Sequence, residues 1–333
     1  MMRSLFSAVS GLKSHQTAMD VIGNNISNVN TTGFKSSRTM FQDIYSQTIS
    51  AATAPTGNTG GVNPMQIGLG TQIASIDMNM TQGTTQTTSY PLDLAISGEG
   101  FFVIDNGDGT YSYTRNGAFT LDAEGYLVTA NGNYVMAVGI NNLTPDPTSG
   151  LIDYSSIENG AELIDDTTET PLFGKIRLQG EVLDTDGTTL YTLSEYAIDK
   201  NGFITATKTE TVEVEVTIPD PSDPSGTTTT TVNKTISTVV KIGRLVLATF
   251  NNSAGLEKIG QSYYQESNNS GGPTYNFVGN NCGSLTPGSL EMSNVDLANE
   301  LTNMIIMQRG FQANSRVITT SDSMLEELVN LKR

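Results

Sequence analysis

His15 and Cys282 are the only histidine and the only cysteine in 333 residues, and they are the two side chains best suited to nucleophilic or acid–base work. One cysteine allows neither an intrachain disulfide nor a thiolate metal cluster, and no Cys–His or Ser–His dyad can be argued from the spacing. Cys282 sits in the Gly/Asn-rich stretch Gly279 to Gly283 and reads as a loop thiol or, alternatively, as an intermolecular cross-link site. His15 reads as a solvated residue on a helix. Asp105, Asp108 and Asp122 do not follow the 1-3-5-12 ligand spacing of a calcium loop, so they read as turn formers. Gly98-x-Gly100 leads into Phe101-Phe102, a strand and not the helix that a nucleotide loop requires. There is no G-x-S-x-G or Walker-type motif, and no carboxylate pair sits in an apolar setting suited to acid–base work. The reading is therefore a non-enzyme, with no catalytic residues, no cofactor and no metal.

What the ends of the chain carry instead is periodicity. Leu5, Val9, Leu12, Gln16, Met19 and Ile26 step along the N-terminus at 4-3 spacing. Leu297, Leu301, Met304, Gln308, Phe311, Ile318, Leu325 and Val329 do the same at the C-terminus. A sustained 4-3 repeat marks a coiled-coil seam, and two narrow stripes at opposite termini predict that the ends meet and the middle is an excursion. Gln16, Gln308, Ser315 and Asp322 fall at core heptad positions; they either fix register there or face solvent because the phase drifts. The first helix is predicted over Ser4 to Asn30, stopped by Thr31-Thr32-Gly33. Gly11, Gly23, Asn24, Asn25 and Asn28 weaken it, so it is expected to fray in a free monomer and to be ordered by packing. The second helix starts from a capping box of Ser293 and Asp296 with a Met292–Leu297 staple.

Composition narrows the class. Hydrophobic content is 37% and charged content 15%, with Gly, Ser, Thr and Asn making up the difference. That suits β domains better than a large helical core. The formal net charge of −17 repels phosphate backbones and argues against nucleic acid as a partner. No segment reaches the roughly 18 apolar residues of a membrane span, and the N-terminus lacks the apolar core of a cleaved signal, so neither membrane insertion nor signal-peptide secretion is expected.

Between the ends the period is two. Phe34 to Ile49 reads as a short helix or an extended arm, and Ser50 to Gly70 as a linker. From Gln72 onward, Leu92, Leu94 and Ile96 alternate, Phe101 to Ile104 is a buried run, and Asn106-Gly107, Asp108-Gly109, Asn116-Gly117 and Asn131-Gly132 supply hairpin turns. The strands between them are Tyr111 to Thr114, Phe119 to Leu121, Tyr126 to Thr129 and Tyr134 to Val138. Phe119 to Leu127 is echoed by Tyr196 to Ile204, one hairpin type used twice. Pro145 and Pro147 open a candidate insert. Within it Val212, Val214, Val216 and Ile218 alternate with polar residues, a polar loop follows from Pro219 to Gly226, and Thr227 to Val240 returns. Leu245 to Phe250 rejoins the first β domain, and Asn251 to Gly283 reads as irregular. The fold class is mainly β with long helical termini in a coiled coil, and with one antiparallel β domain inserted in another. The divisions are residues 1–33 plus 293–333, an arm at 34–71, an inner β domain at 72–140 plus 244–292, and an outer β domain at 141–243.

Three stretches resemble the flagellar axial proteins of bacteria, the rod and hook family. Asp20 to Lys35 is similar to the N-terminal motif of that family, with Asn24, Asn25, Asn28, Gly33 and Phe34 at its motif positions. Ser97 to Ile104 and Tyr113 to Phe119 resemble the opening of the shared β domain. Gly288 to Leu297 and Gln308 to Ser315 resemble the C-terminal motif, with Ser293, Asn294 and Asp296 in it. Asp296 to Met304 looks like the hook version more than the distal-rod version, and the insert also fits a hook subunit; the distal rod is the alternative. The resemblance implies a tubular helical homopolymer acting as a universal joint, with the paired terminal helices on its inner wall. It implies a place in the extracellular hook and basal body, reached through the flagellar type III export apparatus without a cleaved signal. It also implies contacts with distal rod, hook cap and hook–filament junction proteins. A secreted β-rich adhesin or binding module is the other class, and it would be a stable monomer with an aromatic-lined site.

Overall fold

The computed structural model describes residues 2–55, 60–139, 173–178, 180–183, 190–219, 227–280 and 282–331. They fall into two units, residues 1–83 with 293–333 and residues 84–292.

The first unit holds two helices, α1 (Met2–Ser27) and α2 (Leu297–Leu331). Between them in sequence run β1 (Ser37–Asp43), β2 (Ser46–Ser50), β3 (Met65–Gly68) and β4 (Thr71–Met78). β1 pairs antiparallel with β4, β2 pairs with β3, and a bridge from Thr53 to Val62 closes the ribbon further out. The segment read as either a short helix or an arm is thus extended. Phe41, Ile44 and Tyr45 fit a helical face, but the strand pairing of Phe41 with Ile73 decides the conformation. α1 stops three residues earlier than Asn30, because the Asn28 side chain donates to the Asn24 carbonyl (2.9 Å) and competes with the helix ladder. Gly33 adopts the left-handed conformation (φ 68°) that the stop requires.

The start of α2 corrects the capping box. Asp296, not Ser293, is the cap: its Oδ1 accepts from the backbone N–H groups of Ala298 (2.9 Å) and Asn299 (3.2 Å). Ser293 lies three residues too early and accepts from Val295 N–H (3.4 Å). With the cap at Asp296 the staple position moves past Leu297, whose side chain is exposed.

The strands of the second unit pair antiparallel, and Ser253–Gly255 forms a short 3-10 helix. In chain order the strands are β5 (Thr85–Thr87), β6 (Leu94–Ser97), β7 (Phe101–Asp105), β8 (Tyr111–Thr114), β9 (Phe119–Leu121), β10 (Leu127–Thr129) and β11 (Tyr134–Gly139). There follow β12 (Gly174–Lys175), β13 (Gly180–Leu183), β14 (Leu190–Ile198), β15 (Phe203–Pro219) and β16 (Thr227–Thr249). Last come β17 (Glu257–Gly260), β18 (Tyr263–Gln265), β19 (Thr274–Phe277), β20 (Ser284–Pro287) and β21 (Ser289–Glu291). The main sheet runs β13-β14-β15-β16-β11-β7-β8-β18-β17. Its core gathers Leu94, Ile96, Phe102, Phe119, Leu127, Leu245 and Leu247, and each fully buried side chain of this kind contributes about 1.5–3 kcal/mol.

The echoed hairpins share one backbone design. Asp122 N–H donates to the Tyr126 carbonyl (3.0 Å) and Gly125 N–H to that of Asp122 (3.1 Å). Asp199 N–H donates to the Phe203 carbonyl and Gly202 N–H to that of Asp199, both at 2.9 Å. Gly125 and Gly202 carry positive φ, 85° and 77°.

Two expectations change here. The return strand and the rejoining strand are one uninterrupted β16, so the division at Gly243 falls inside a strand that pairs with β15 along one stretch and with β11, β7 and β19 along another. Asn251 to Gly283 contains β17, β18 and β19 despite its polar composition, because Tyr263, Tyr264 and Phe277 are buried. Pro145, Pro147 and the loop at 220–226 lie outside the described residues.

Candidate assembly site on the terminal helix pair

α1 and α2 pack on each other antiparallel. A side chain added at Gly11 would meet the Asn314 amide at 2.6 Å, and one at Gly310 would meet the His15 ring at 2.8 Å. His15 Nδ1 lies 3.3 Å from Met307 Sδ, and Asn25 Nδ2 donates to Glu300 Oε1 (3.1 Å). His15 is therefore not solvated as predicted: the missing side chain of Gly310 leaves room for its ring, which also packs 5.8 Å from that of Phe41.

The face that α1 buries is made of Ala8, Gly11, Ser14, Ala18, Ile22 and Asn25. Its large apolar residues flank that face: Leu5, Leu12, Met19 and Ile26 are half-buried, and Val9 is 40% exposed. On α2, Met304, Phe311, Ile318 and Leu325 are half-buried, whereas Leu297 and Leu301 are exposed, Leu301 by 46%. Gln16, Gln308 and Asp322 face solvent, and Ser315 is half-buried. The buried face of α1 is thus mostly small residues, with Ile22 the large one, and lies one position out of phase with the 4-3 stripe. Ile305, Ile306, Val317 and Val329 add to the exposed apolar surface of α2.

At the other end of the pair a polar junction ties four passes of the chain together. Asn25, 1% exposed, accepts from Ser37 N–H (3.0 Å) and donates to the Ser37 carbonyl (2.8 Å) as well as to Glu300. Asn294 accepts from Ser36 N–H (2.8 Å) and donates to the carbonyls of Asn79 (2.8 Å) and Thr81 (3.1 Å). Lys35, fully buried, donates from Nζ to the Thr81 carbonyl at 2.8 Å. Burial raises the Glu300 carboxyl; the Asn25 bond lowers it and Asp296 adds to the rise. Asn25 and Asn294 came from motif matching, and the junction gives them a physical task. Lys35, Asn79 and Thr81 were not anticipated, and a fully buried lysine runs against every compositional expectation.

Cys282 is half-buried in the second unit, where its thiol donates to the Phe277 carbonyl (2.9 Å). Burial pushes the thiol up, ahead of lowering by the Gly279 and Asn280 N–H groups and Arg244. Among the described residues no group of three potential metal ligands occurs, and no helix is long and apolar enough to cross a membrane.

Three family descriptions match the chain: flagella basal body rod protein over residues 5–35, flagellar hook protein FlgE/F/G D1 domain over 95–160, and flagellar basal body rod FlgEFG protein C-terminal over 286–331. The flagellar basal-body rod protein FlgG of Bacillus subtilis is 41% identical over 335 residues, covering 100% of both chains. The flagellar hook protein FlgE of Borreliella burgdorferi is 33% identical over 442 residues, again covering 100% of both. The flagellar hook protein FlgE of Helicobacter mustelae is 52% identical over 138 residues, covering 41% of this chain and 30% of its own.

Proposed function

This chain belongs to the flagellar rod and hook protein family, and from that premise we propose that it is a hook subunit, polymerising into a tube that bends while it carries torque. Head-to-tail contacts that do not close on themselves generate an open helical filament. The observation that carries the proposal is the outward-facing apolar surface of the helix pair. The buried face of α1 is glycine, alanine, serine and asparagine with one isoleucine, and Val9, Leu297, Leu301, Ile305 and Ile306 stay exposed. Exposed large apolar side chains grouped on a helix, as at Leu297, Leu301, Ile305 and Ile306, mark an interaction surface. In the polymer these residues, with the half-buried Leu5, Leu12, Met19, Ile26, Met304, Phe311, Ile318 and Leu325, knit neighbouring subunits into a coiled-coil wall. Export through the flagellar type III apparatus and contacts with rod, cap and junction proteins belong to the same proposal.

Leu301→Asp is the direct test. Leu301 is exposed and Phe311 is half-buried, so the first is the one to charge without disturbing the subunit itself. The variant should keep a wild-type circular dichroism spectrum and yield no pelletable filament; filaments at wild-type concentration would refute the proposal. A distal-rod subunit is the second reading. It is favoured by the match to FlgG, which runs 335 positions against a chain of 333, whereas the match to the Borreliella hook protein runs 442. The local 52% identity to a hook protein favours the first. Electron microscopy of assembled protein separates the two: a curved, supercoiled tube fits the hook and a straight one the rod.

A further inference from the structure

Among the described residues His, Cys, Asp and Glu nowhere gather in a group of three that could hold a metal ion. Thioether sulfur is a different donor, and it does gather where α1 packs on α2. His15 Nδ1 lies 3.3 Å from Met307 Sδ. An ion bound about 2.0 Å from an imidazole nitrogen and about 2.3 Å from a sulfur would see two donors at that separation under an angle of about 100°. A hydrogen bond from Nδ1 to sulfur has the same length, so the surroundings decide what the pair can do.

Those surroundings hold two more thioethers. Pairing of Gly11 with Asn314, of His15 with Gly310 and of Asn25 with Glu300 sets the register of the helices. Carried one turn on from His15, it sets Met19 across from Met304. Met19 is four residues beyond His15 and Met304 three before Met307, so each shares a helix face with its neighbour. All four side chains are half-buried, close enough to the surface for an ion to enter. The imidazole is held from two sides. A side chain added at Gly310 would meet its Cε1 and Nε2 at 2.8 Å, and the Phe41 ring stands 5.8 Å away, tilted by 50°.

We propose that His15, Met19, Met304 and Met307 bind one soft monovalent cation, of the copper(I) and silver(I) class, between α1 and α2. The donor set selects the ion. Neutral thioethers are soft ligands that favour copper(I), whereas calcium and magnesium require oxygen ligands and zinc takes thiolate, imidazole or carboxylate. One imidazole and three thioethers therefore leave the hard divalent cations without a site here. The bound ion bridges the two helices and stabilises the pair in proportion to its occupancy. The site lies within a single subunit, so it holds whether the assembled protein is a hook or a rod.

Silver(I) is the probe, because it does not change oxidation state in air. Cys282 is a competing soft ligand, so the experiment uses the full chain carrying Cys282→Ser, in which the hydroxyl can keep the donation to the Phe277 carbonyl. His15 is the only histidine, so its ring gives a single set of NMR resonances. Silver should shift that set and saturate at one equivalent, while calcium leaves it in place. Met307→Leu conserves volume and should weaken silver binding about tenfold or more. Met19→Leu combined with Met304→Leu should weaken it by a similar factor. Circular dichroism at 222 nm without silver checks that the helices are kept. Should Met307→Leu lose helical signal, the Met19 and Met304 replacements decide alone. Ring resonances that silver does not move, or wild-type affinity in either set of leucine variants, overturn the proposal.

Discussion

Glu291→Gln should cost the second unit about 3–5 kcal/mol, more than almost any other single-atom change in it. Arg115 and Glu291 form an ion pair at 3.4 Å, with side chains 5% and 0% exposed. The Arg115 guanidinium also lies 5.1 Å over the Phe101 ring, and its Nε has no hydrogen-bond partner. Burial pulls the arginine below its ordinary pKa, and Glu291 opposes that pull. Deleting the carboxylate charge leaves a cation held in an apolar setting without its counter-charge. Arg115→Met should cost a similar amount for the converse reason. Replacing both, Arg115→Met with Glu291→Leu, removes two desolvated charges together and should fall within about 2 kcal/mol of wild type. The cycle then gives a coupling of several kcal/mol. With 12 tyrosines and no tryptophan, tyrosine emission reports unfolding, and Tyr113 and Tyr264 are buried in this unit. At a urea slope of about 2 kcal/mol per molar, the single changes lower the midpoint by about 1.5–2.5 M. A midpoint shift below about 0.5 M for Glu291→Gln, or losses that simply add in the double variant, would refute the reasoning.

Asn25→Ala removes three hydrogen bonds at a nearly inaccessible site. It should cost about 2–4 kcal/mol in urea unfolding followed at 222 nm, while Asn24→Ala on the exposed face changes it by less than about 0.5 kcal/mol. Gly117→Ala would drive a side chain into the Leu94 backbone carbonyl, with the Phe102 ring at 3.2 Å behind it. β6 would have to shift, and a melting curve should register a loss of about 3 kcal/mol. Glu300 has a carboxyl raised mainly by burial, so the folded chain holds its proton more tightly than the unfolded one. Its stabilising contribution is complete below the unfolded value and fades as pH rises through the folded value. Glu300→Gln should therefore gain on wild type as pH is raised from about 4 to about 7, and parallel pH profiles would exclude the effect.

The β7–β8 and β10–β11 turns were legible because they are chemically marked, whereas the hairpin expected at Asn116-Gly117 does not form: β8 pairs with β7 and β18, and β9 with β10. Gly107, Gly109 and Gly132 follow Asn or Asp and sit at φ 86°, 84° and 83°, so the sequence encodes the reversal directly. Phe101 to Ile104 is apolar at every position and is buried at every position. The arm at β1 to β4 was legible only as a choice between a short helix and an extended segment, since Phe41, Ile44 and Tyr45 also fit a helical face and Met40, Phe41, Ile67 and Ile76 stay exposed. Burial of Lys35 has no local signature in the sequence; its Nζ donates to the Thr81 carbonyl, 46 residues away.

On α1 the heptad reading finds the right element and misses its buried face by one position, whereas on α2 Met304, Phe311, Ile318 and Leu325 of the stripe are half-buried. A 4-3 pattern is scored on large apolar residues, and it marks whichever face is greasiest. Close approach of two helices is instead set by the residues that stay out of the way, here Gly11, Ala18 and Gly310, which carry little weight in any hydrophobicity sum. Gly11, Ala18 and Gly310 let the helices approach, with Ile22 buried beside them, while Val9, Leu301, Ile305 and Ile306 stay exposed. The Asn25 and Asn294 junction then fixes that pair to the strands, so that the exposed faces are presented in one orientation rather than sampled in many.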